Sequence, residues 1–239
     1  TFDTPLKIEA ILVNKQTGKR IKQDVFLGDI PQMTEKGTFI INGVERVIIN
    51  QLVRSPGVFF QASDDPITGK RLYSAEIRPY RGSWLEFNVS RGGVLTAKID
   101  RRRKFAATTF LRAIGMSDTE EIIKTFVAED SSEDKFIEAT LAKDPTATTD
   151  EALIEIFRKM RPGDPIALEN AKALLDGMFF QPRRYNLTKV GRFKINKRLS
   201  LNLPNTSEYH ILSKEDIVAT VKYLIRLSNG EGQVDDIDH

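Results

Sequence analysis

The period of the hydrophobic pattern changes once, near residue 104, and this change constrains the fold of the chain most strongly. Before that point, short apolar runs alternate with polar residues and end at turn residues, among them the pair Asn42-Gly43. Beyond it, apolar residues recur three and four positions apart, as on one face of a helix. The order of strands first and helices second predicts an α+β fold, with short antiparallel strands in the first ~100 residues and a mainly helical remainder.

The individual elements follow from the same patterns and from the residues that flank them. Strands are predicted at 5–13, 24–31, 38–43, 44–53, 57–61, 71–77, 84–90 and 94–100. Helices are predicted at 105–116, 117–126, 149–160, 168–179 and 213–228, where apolar residues have helical spacing. A polar connection is predicted at 128–134 and a loop at 200–212.

Charge is arranged in blocks that the modest net charge of +3 conceals. Residues 70–104 hold ten Lys and Arg against three Asp and Glu, and residues 158–198 hold eleven against three. Between them, residues 118–155 hold three basic residues against twelve acidic ones. Two basic blocks indicate a polyanionic partner such as nucleic acid. The alternative, that these runs are solvated faces, stays open on charge alone.

Composition excludes several classes of function. The chain has no cysteine, which rules out disulfides, thiolate zinc sites and cysteine nucleophiles and fits a cytoplasmic protein. No apolar run approaches eighteen residues, so no membrane span is predicted. The chain begins at Thr1 without a signal-peptide pattern, and we interpret it as a piece of a longer protein. A glycine-rich phosphate loop, a dinucleotide fingerprint and a Ser-His-Asp set are all missing, which favours a binding module over a self-sufficient enzyme.

Two segments combine basic and aromatic residues in the way that single-stranded nucleic acid requires. In "IRPYRGSWLEF", at 77–87, the one tryptophan of the chain, Trp84, follows Arg78 and Arg81, so its indole is a candidate stacking surface for a base. Basic and aromatic residues also interleave at 182–196; they are Arg183, Arg184, Tyr185, Lys189, Arg192, Phe193 and Lys194. The alternative for this second segment is an amphipathic surface whose long cations cover apolar neighbours.

Four further motifs are candidates for a functional role. "RSPGVFF", at 54–60, is a corner that fixes Arg54 at a rim, and "RPGDP", at 161–165, places Arg161 between two helices. "IDRRRK", at 99–104, puts four cations before a predicted helix, where they oppose the helix dipole unless an anion is near. The closing "DDIDH" is a candidate site for a hard divalent ion through Asp236, Asp238 and His239.

Long strings of the sequence resemble one family, the β subunit of bacterial DNA-directed RNA polymerase. The strings are "MTEKGTFIINGVERVIINQLVRSPGVFF", "IRPYRGSWLEF", "IDRRRKF", "RPGDP", "RRYNLTKVGRFKIN" and "VDDIDH", and they occur in the family's order over nearly the whole chain. The resemblance implies that residues 1–53 belong to the protrusion, or β1, domain and residues 54–239 to the lobe, or β2, domain. Together these domains would form one side of a DNA cleft.

The resemblance also implies a pocket for one base of the non-template strand. Arg54, Trp84, Ile237 and Asp238 match the positions that line this pocket in the family. Trp84 would be the stacking platform, and Asp238 would accept hydrogen bonds from a base edge, that of guanine.

Other positions match contacts beyond that pocket. Arg161 and Arg184 correspond to residues that follow the non-template strand, and Arg46 and Ile49 correspond to the fringe of the rifamycin pocket. Where the family has an Ile-Lys-Glu motif that docks regulators such as transcription-repair coupling factor, this chain has Ile21, Lys22 and Gln23. The missing carboxylate argues against that docking, although an edge strand can still pair through its backbone.

The same resemblance implies that the catalytic residues of the enzyme lie in another subunit. The catalytic Mg²⁺ of the family is held by aspartates of the other large subunit, so no catalytic residue, metal or cofactor is expected in this segment. The implied partners are DNA, the α, β′, ω and σ subunits and transcription regulators, in the cytoplasm and without a membrane. The alternative from the residues alone is a stand-alone metal-dependent phosphotransferase that uses Asp235, Asp236 and Asp238.

Overall fold

Alternating residues in the first 53 positions build two antiparallel hairpins. The computed structural model describes residues 1–130 and 135–236 and divides the chain into two units, Thr1–Val53 and Arg54–His239. In the first unit, β1 (Asp3–Val13) pairs with β2 (Arg20–Pro31), and β3 (Phe39–Ile41) pairs with β4 (Val44–Arg46). These ranges are the ones that the resemblance gives to the protrusion and the lobe, and the assignment to those named domains stays a prediction.

The second hairpin shows where a local pattern predicts well and where it fails. Asn42 and Gly43 both have positive φ, +50° and +78°, as the two central residues of a tight hairpin turn require. The prediction of a strand over 44–53 is wrong beyond Arg46, because the pairing ends where Arg46 meets Phe39 and the following residues have no strand opposite them. None of residues 1–53 is buried in this unit.

A five-stranded antiparallel sheet opens the second unit, with its strands in chain order. The strands are β5 (Gly57–Asp64), β6 (Arg71–Arg78), β7 (Leu85–Val89), β8 (Leu95–Ile99) and β9 (Phe105–Ala106). Along β7 and β8 buried and half-buried residues alternate strictly, so one face of the sheet lies on the core and the other points outward. This alternation decides which side chains are free to meet a partner.

Helices cover the inner face of that sheet and complete the predicted α+β fold. They are α1 (Ala107–Ala113), α2 (Thr119–Phe126), α3 (Phe136–Leu141), α4 (Thr149–Met160), α5 (Leu168–Phe179), α6 (Thr188–Leu199) and α7 (Lys214–Ser228), with a 3₁₀ turn at Ser207–His210. Ser213 and Asp216 form a capping box at the start of α7, which the sequence signals by a polar residue before the apolar spacing. Among the described residues, no helix is both long and apolar enough to cross a bilayer.

The segment 182–196 differs most from its sequence interpretation, because part of it enters the core as α6. The Arg192 side chain is fully buried and forms an ion pair with Asp216 at 2.6 Å. It also donates to the backbone carbonyls of Tyr209 and Ile211 at 2.6 and 2.7 Å. Tyr185 is buried as well, and burial raises the pKa of its hydroxyl. The prediction that these two side chains belong to a nucleic-acid surface is therefore wrong, whereas Arg184 and Phe193 remain exposed.

Candidate nucleic-acid interface

The outward face of the sheet carries a row of side chains set by strand register. Phe59 faces Glu76, Glu76 faces Glu86, and Glu86 faces Lys98, each one strand further along. Because Ile77 pairs with Leu85 and points into the core, the next residues on either side, Arg78 and Trp84, face each other on the outward surface. The residue types that recognise nucleic acid thus meet at the same end of the sheet.

The guanidinium groups of two arginines pack against the Trp84 ring. The Arg78 guanidinium carbon is 4.4 Å from the centroid of the indole, and that of Arg101 is 5.1 Å away. Arg78 also pairs with Glu76 at 2.9 Å, and Arg101 lies 3.8 Å from Glu86. We call these three residues, Trp84, Arg78 and Arg101, the Trp84 cluster. Its indole is half-buried, as a platform on a sheet surface would be.

Arg81, the other arginine that the sequence places beside Trp84, is directed to a different part of the fold. It donates a side-chain hydrogen bond to the Pro182 carbonyl at 3.3 Å, and its backbone pairs with that of Asn186. The neighbouring Gly82 has φ +125°, and a Cβ there would lie 2.6 Å from the Tyr185 ring. Arg81 and Gly82 therefore hold the loop before α6 against the sheet.

A second aromatic residue, Phe59, carries cations on the same outward face. The Arg54 guanidinium lies 4.5 Å from its ring centroid, and the Lys194 ammonium lies 5.6 Å away. Lys194 also donates to the Ser55 hydroxyl at 2.5 Å, which ties α6 to the corner before β5. The sequence motif at 54–60 predicts a role for Arg54 but none for Phe59. Val58, Phe59 and Phe60 are all apolar, so only the fold, which buries Val58 and Phe60, shows that Phe59 points outward.

A cavity of about 330 Å³ adjoins Phe59 and reaches the end of the described chain. It is lined by Val58, Phe59, Lys194, Lys197, Arg198, Asp235 and Asp236. The Phe60 backbone N–H donates to the Asp235 carboxylate at 2.7 Å, and Arg198 pairs with the same carboxylate at 3.0 Å. Asp235 therefore fastens the segment after α7 to β5.

The described residues give no support to the metal site that the sequence suggests at the end of the chain. Within 1–130 and 135–236, no three His, Asp or Glu side chains are grouped so that they could hold a metal ion. Asp235, which the phosphotransferase alternative needs, is bound by a guanidinium and a backbone amide. Ile237, Asp238 and His239 lie outside the described residues, so their predicted roles are not located here.

Arg161 and Arg184 line one cleft of about 320 Å³, together with Asp164, Asn170, Leu174 and other residues. Arg161 follows the last residue of α4, and its guanidinium is 3.6 Å from Asp164. Arg184 packs on the helix α5 at Gly177, where a Cβ would lie 2.8 Å from a guanidinium nitrogen. Both arginines are exposed, and the fold brings together two residues that are 23 positions apart in the sequence.

The residues of the first unit for which the sequence predicts a role are all exposed. Arg46 ends β4, and Ile49 is exposed in the segment that follows it. Ile21, Lys22 and Gln23 lie in β2 opposite residues 10–12 of β1. The Lys22 ammonium lies 2.9 Å from the Glu9 carboxylate across the hairpin. Within this unit β2 pairs with β1 alone, which leaves the other edge of β2 open.

Two comparisons with known proteins match this chain, one over the second unit and one over its whole length. A family model described as RNA polymerase Rpb2, domain 2, matches residues 54–239. The chain is 47% identical, over an alignment 254 positions long, to the DNA-directed RNA polymerase subunit beta of Leifsonia xyli subsp. xyli (strain CTCB07). That alignment covers 100% of this chain and 21% of the relative. The chain thus spans about a fifth of the length of this curated relative.

Proposed function

Because the chain belongs to the family of RNA polymerase Rpb2, domain 2, we propose that it contacts the non-template DNA strand as a segment of a bacterial RNA polymerase β subunit. The resemblance found in the sequence is confirmed at the level of the family. In the assembled enzyme, the segment would shape the DNA cleft while nucleotidyl transfer takes place elsewhere. The catalytic Mg²⁺ would be held by the other large subunit.

The Trp84 cluster is the observation that carries this proposal. An indole on the outward face of a rigid sheet offers an unpaired base a stacking surface at a fixed position. The guanidinium groups around it supply positive charge for the phosphates on either side of that base. Stacking does not depend on the identity of the base, so this surface alone would bind single strands with little sequence preference.

Two neighbouring features extend the proposed path of the strand. Phe59 lies two strands away from Trp84 in the sheet and is offset from it by two residues along the strand direction. With the ordinary dimensions of a sheet, the Cα atoms of the two residues are about 12 Å apart. Arg54 lies over that ring, and Arg161 and Arg184 line a cleft whose charge suits phosphate groups. We assign Arg161 and Arg184 to contacts along the non-template strand, and Arg54, Trp84, Ile237 and Asp238 to the pocket for one of its bases.

Protein partners are proposed for the first unit. The open edge of β2 supports docking of a regulator, such as transcription-repair coupling factor, by strand addition near Ile21 and Lys22. Gln23 stands where the family has a carboxylate, so this docking would rely on backbone hydrogen bonds more than on charge. Arg46 and Ile49 are proposed as the fringe of a rifamycin pocket, and the α, β′, ω and σ subunits as the partners of assembly in the cytoplasm.

A salt titration of oligonucleotide binding tests the DNA proposal. The 239-residue chain is titrated with a labelled single-stranded oligonucleotide at several salt concentrations. We expect the logarithm of the binding constant to fall linearly with the logarithm of salt concentration, at about 0.7 per neutralised phosphate. Arg184→Ala should lower this slope, and Arg183→Ala is the matched control, because Arg183 is its exposed neighbour and does not line the cleft. A binding constant that salt leaves unchanged would contradict the proposal.

A further inference from the structure

Arg78 and Arg101 both lie over the Trp84 ring, but the fold holds them very differently. The Arg78 side chain is 21% exposed and contacts Glu76 at 2.9 Å, and its guanidinium lies 4.4 Å from the ring centroid. The Arg101 side chain is 69% exposed, its guanidinium lies 5.1 Å from the ring, and its distance to Glu86 is 3.8 Å. Arg78 is thus held firmly in the sheet surface, whereas Arg101 is held loosely above it.

The turn that carries Arg101 is built onto Trp84 itself. Asp100 and Arg101 have φ values of +49° and +58°, and the Arg102 backbone N–H donates to the Ile99 carbonyl at 2.9 Å. These are the features of a tight turn whose two central residues are left-handed. The Trp84 backbone N–H donates to the Asp100 carboxylate at 2.8 Å, and the Asp100 N–H donates to the Trp84 carbonyl at 3.0 Å. The turn therefore delivers the Arg101 side chain to the indole.

A guanidinium group resembles a base in the way it meets an aromatic ring. It is planar and weakly hydrated, and it stacks on indole by dispersion and by attraction to the ring's electrons. A guanidinium on the ring occupies surface that an incoming base would use. An exposed contact of this type is weak enough for a stacking base to replace.

We propose that Arg101 is a displaceable cover of Trp84. In the free chain it stacks on the indole, and when an unpaired base arrives it leaves the ring and turns its charge toward a neighbouring phosphate. Arg78, held by Glu76, stays in place and supports the ring. This inference rests on the proposed function, since it assumes that Trp84 receives a base.

The substitution Arg101→Lys separates stacking from charge. Lysine keeps the positive charge but loses the planar group that stacks, so the salt slope should stay unchanged. We expect an oligonucleotide to bind Arg101→Lys about two- to fivefold more tightly than the wild type, because the base no longer competes with a guanidinium on the ring. The matched variant Arg78→Lys should bind more weakly than the wild type, since the fixed support of the ring is lost.

Trp84 fluorescence supplies a second readout, because this residue is the single tryptophan of the chain. Acrylamide should quench the emission of Arg101→Lys more strongly than that of the wild type. Unchanged or weaker oligonucleotide binding by Arg101→Lys, with unchanged quenching, would overturn the displaceable cover. Trp84→Leu separates the two proposals. If it weakens binding while Arg101→Lys behaves as the wild type, the cover alone is refuted. If Trp84→Leu leaves binding unchanged, the base platform and its cover are both refuted.

Discussion

The basic-aromatic segments 77–87 and 182–196 have similar compositions and opposite surroundings. In the first, guanidinium groups lie over an indole on the outward face of a sheet. In the second, Arg192 and Tyr185 are enclosed in the core, and Arg192 pairs with Asp216. Residue types alone did not distinguish the two. Position relative to the core decides whether an arginine is available to a partner or is enclosed in the fold.

The largest effect that this comparison predicts is on stability. Arg192→Met leaves the Asp216 carboxylate buried without its cation, so the free energy of unfolding should fall by about 3–5 kcal/mol. Denaturant unfolding of the chain measures the change. The control is Arg158→Met, which removes an exposed ion pair with Glu155 and should cost less than about 1 kcal/mol. Equal losses in both variants would contradict the distinction between a buried and an exposed arginine.

The next effect concerns binding, with the fold preserved. Trp84→Ala should weaken single-strand binding by about 1–3 kcal/mol and shorten the open-complex lifetime of a polymerase that carries it. A core tryptophan would instead cost about 3–5 kcal/mol of stability when truncated. Melting of the variant chain and the lifetime of the variant polymerase's open complex are measured side by side. A large drop in melting temperature with an unchanged open-complex lifetime would contradict this prediction and show that Trp84 only stabilises the fold.

A smaller effect is expected in the cleft of Arg161 and Arg184. Arg184→Ala should reduce the salt slope of oligonucleotide binding by about 0.7, the contribution of one phosphate contact on a single strand. Its melting temperature should stay close to that of the wild type, because the side chain is exposed. Reduced stability with an unchanged slope would show that this arginine resembles Arg192 in its role.

The smallest effect is expected on the open edge of β2. Gln23→Glu restores the carboxylate of the family motif, and the added charge-assisted hydrogen bond should strengthen docking of a coupling-factor-type domain by about fivefold or less. The affinity is measured by titration of that domain onto the chain. Gln16→Glu, in the turn that joins β1 to β2, makes the same charge change outside the motif. Equal effects of the two substitutions would remove any special role of residue 23.

The sequence predicted those strands, turns and helix ends whose characteristic residues lie in the element itself or directly beside it. The Asn42-Gly43 turn, the strands of the sheet and the cap at Ser213 follow from neighbouring residues. Helix α6 was missed because basic residues interrupt its apolar spacing, and Arg192 counts as polar although it is buried. Helix α3 was missed because its first backbone amides donate to the Asp130 carboxylate from an earlier part of the chain.

The candidate site was predictable only where sequence neighbours are also spatial neighbours. Arg78 and Trp84 share one quoted string, and the structure places them in contact. Arg101 is 17 residues beyond Trp84, and only the pairing of β7 with β8 brings it back. Phe59 looked like an ordinary apolar residue, since its outward position depends on the register of an edge strand. Contacts of this kind require the fold.

The intrinsic fluorescence of Trp84 during an oligonucleotide titration tests the central claim most directly. No other residue contributes tryptophan emission, so the signal comes from the proposed platform itself. We expect the emission to change as the strand binds and the change to saturate with the same binding constant as a label on the strand. Added salt should weaken the binding that both signals report. Binding reported by the label while Trp84 emission stays constant would show that the strand lies elsewhere and would contradict the account.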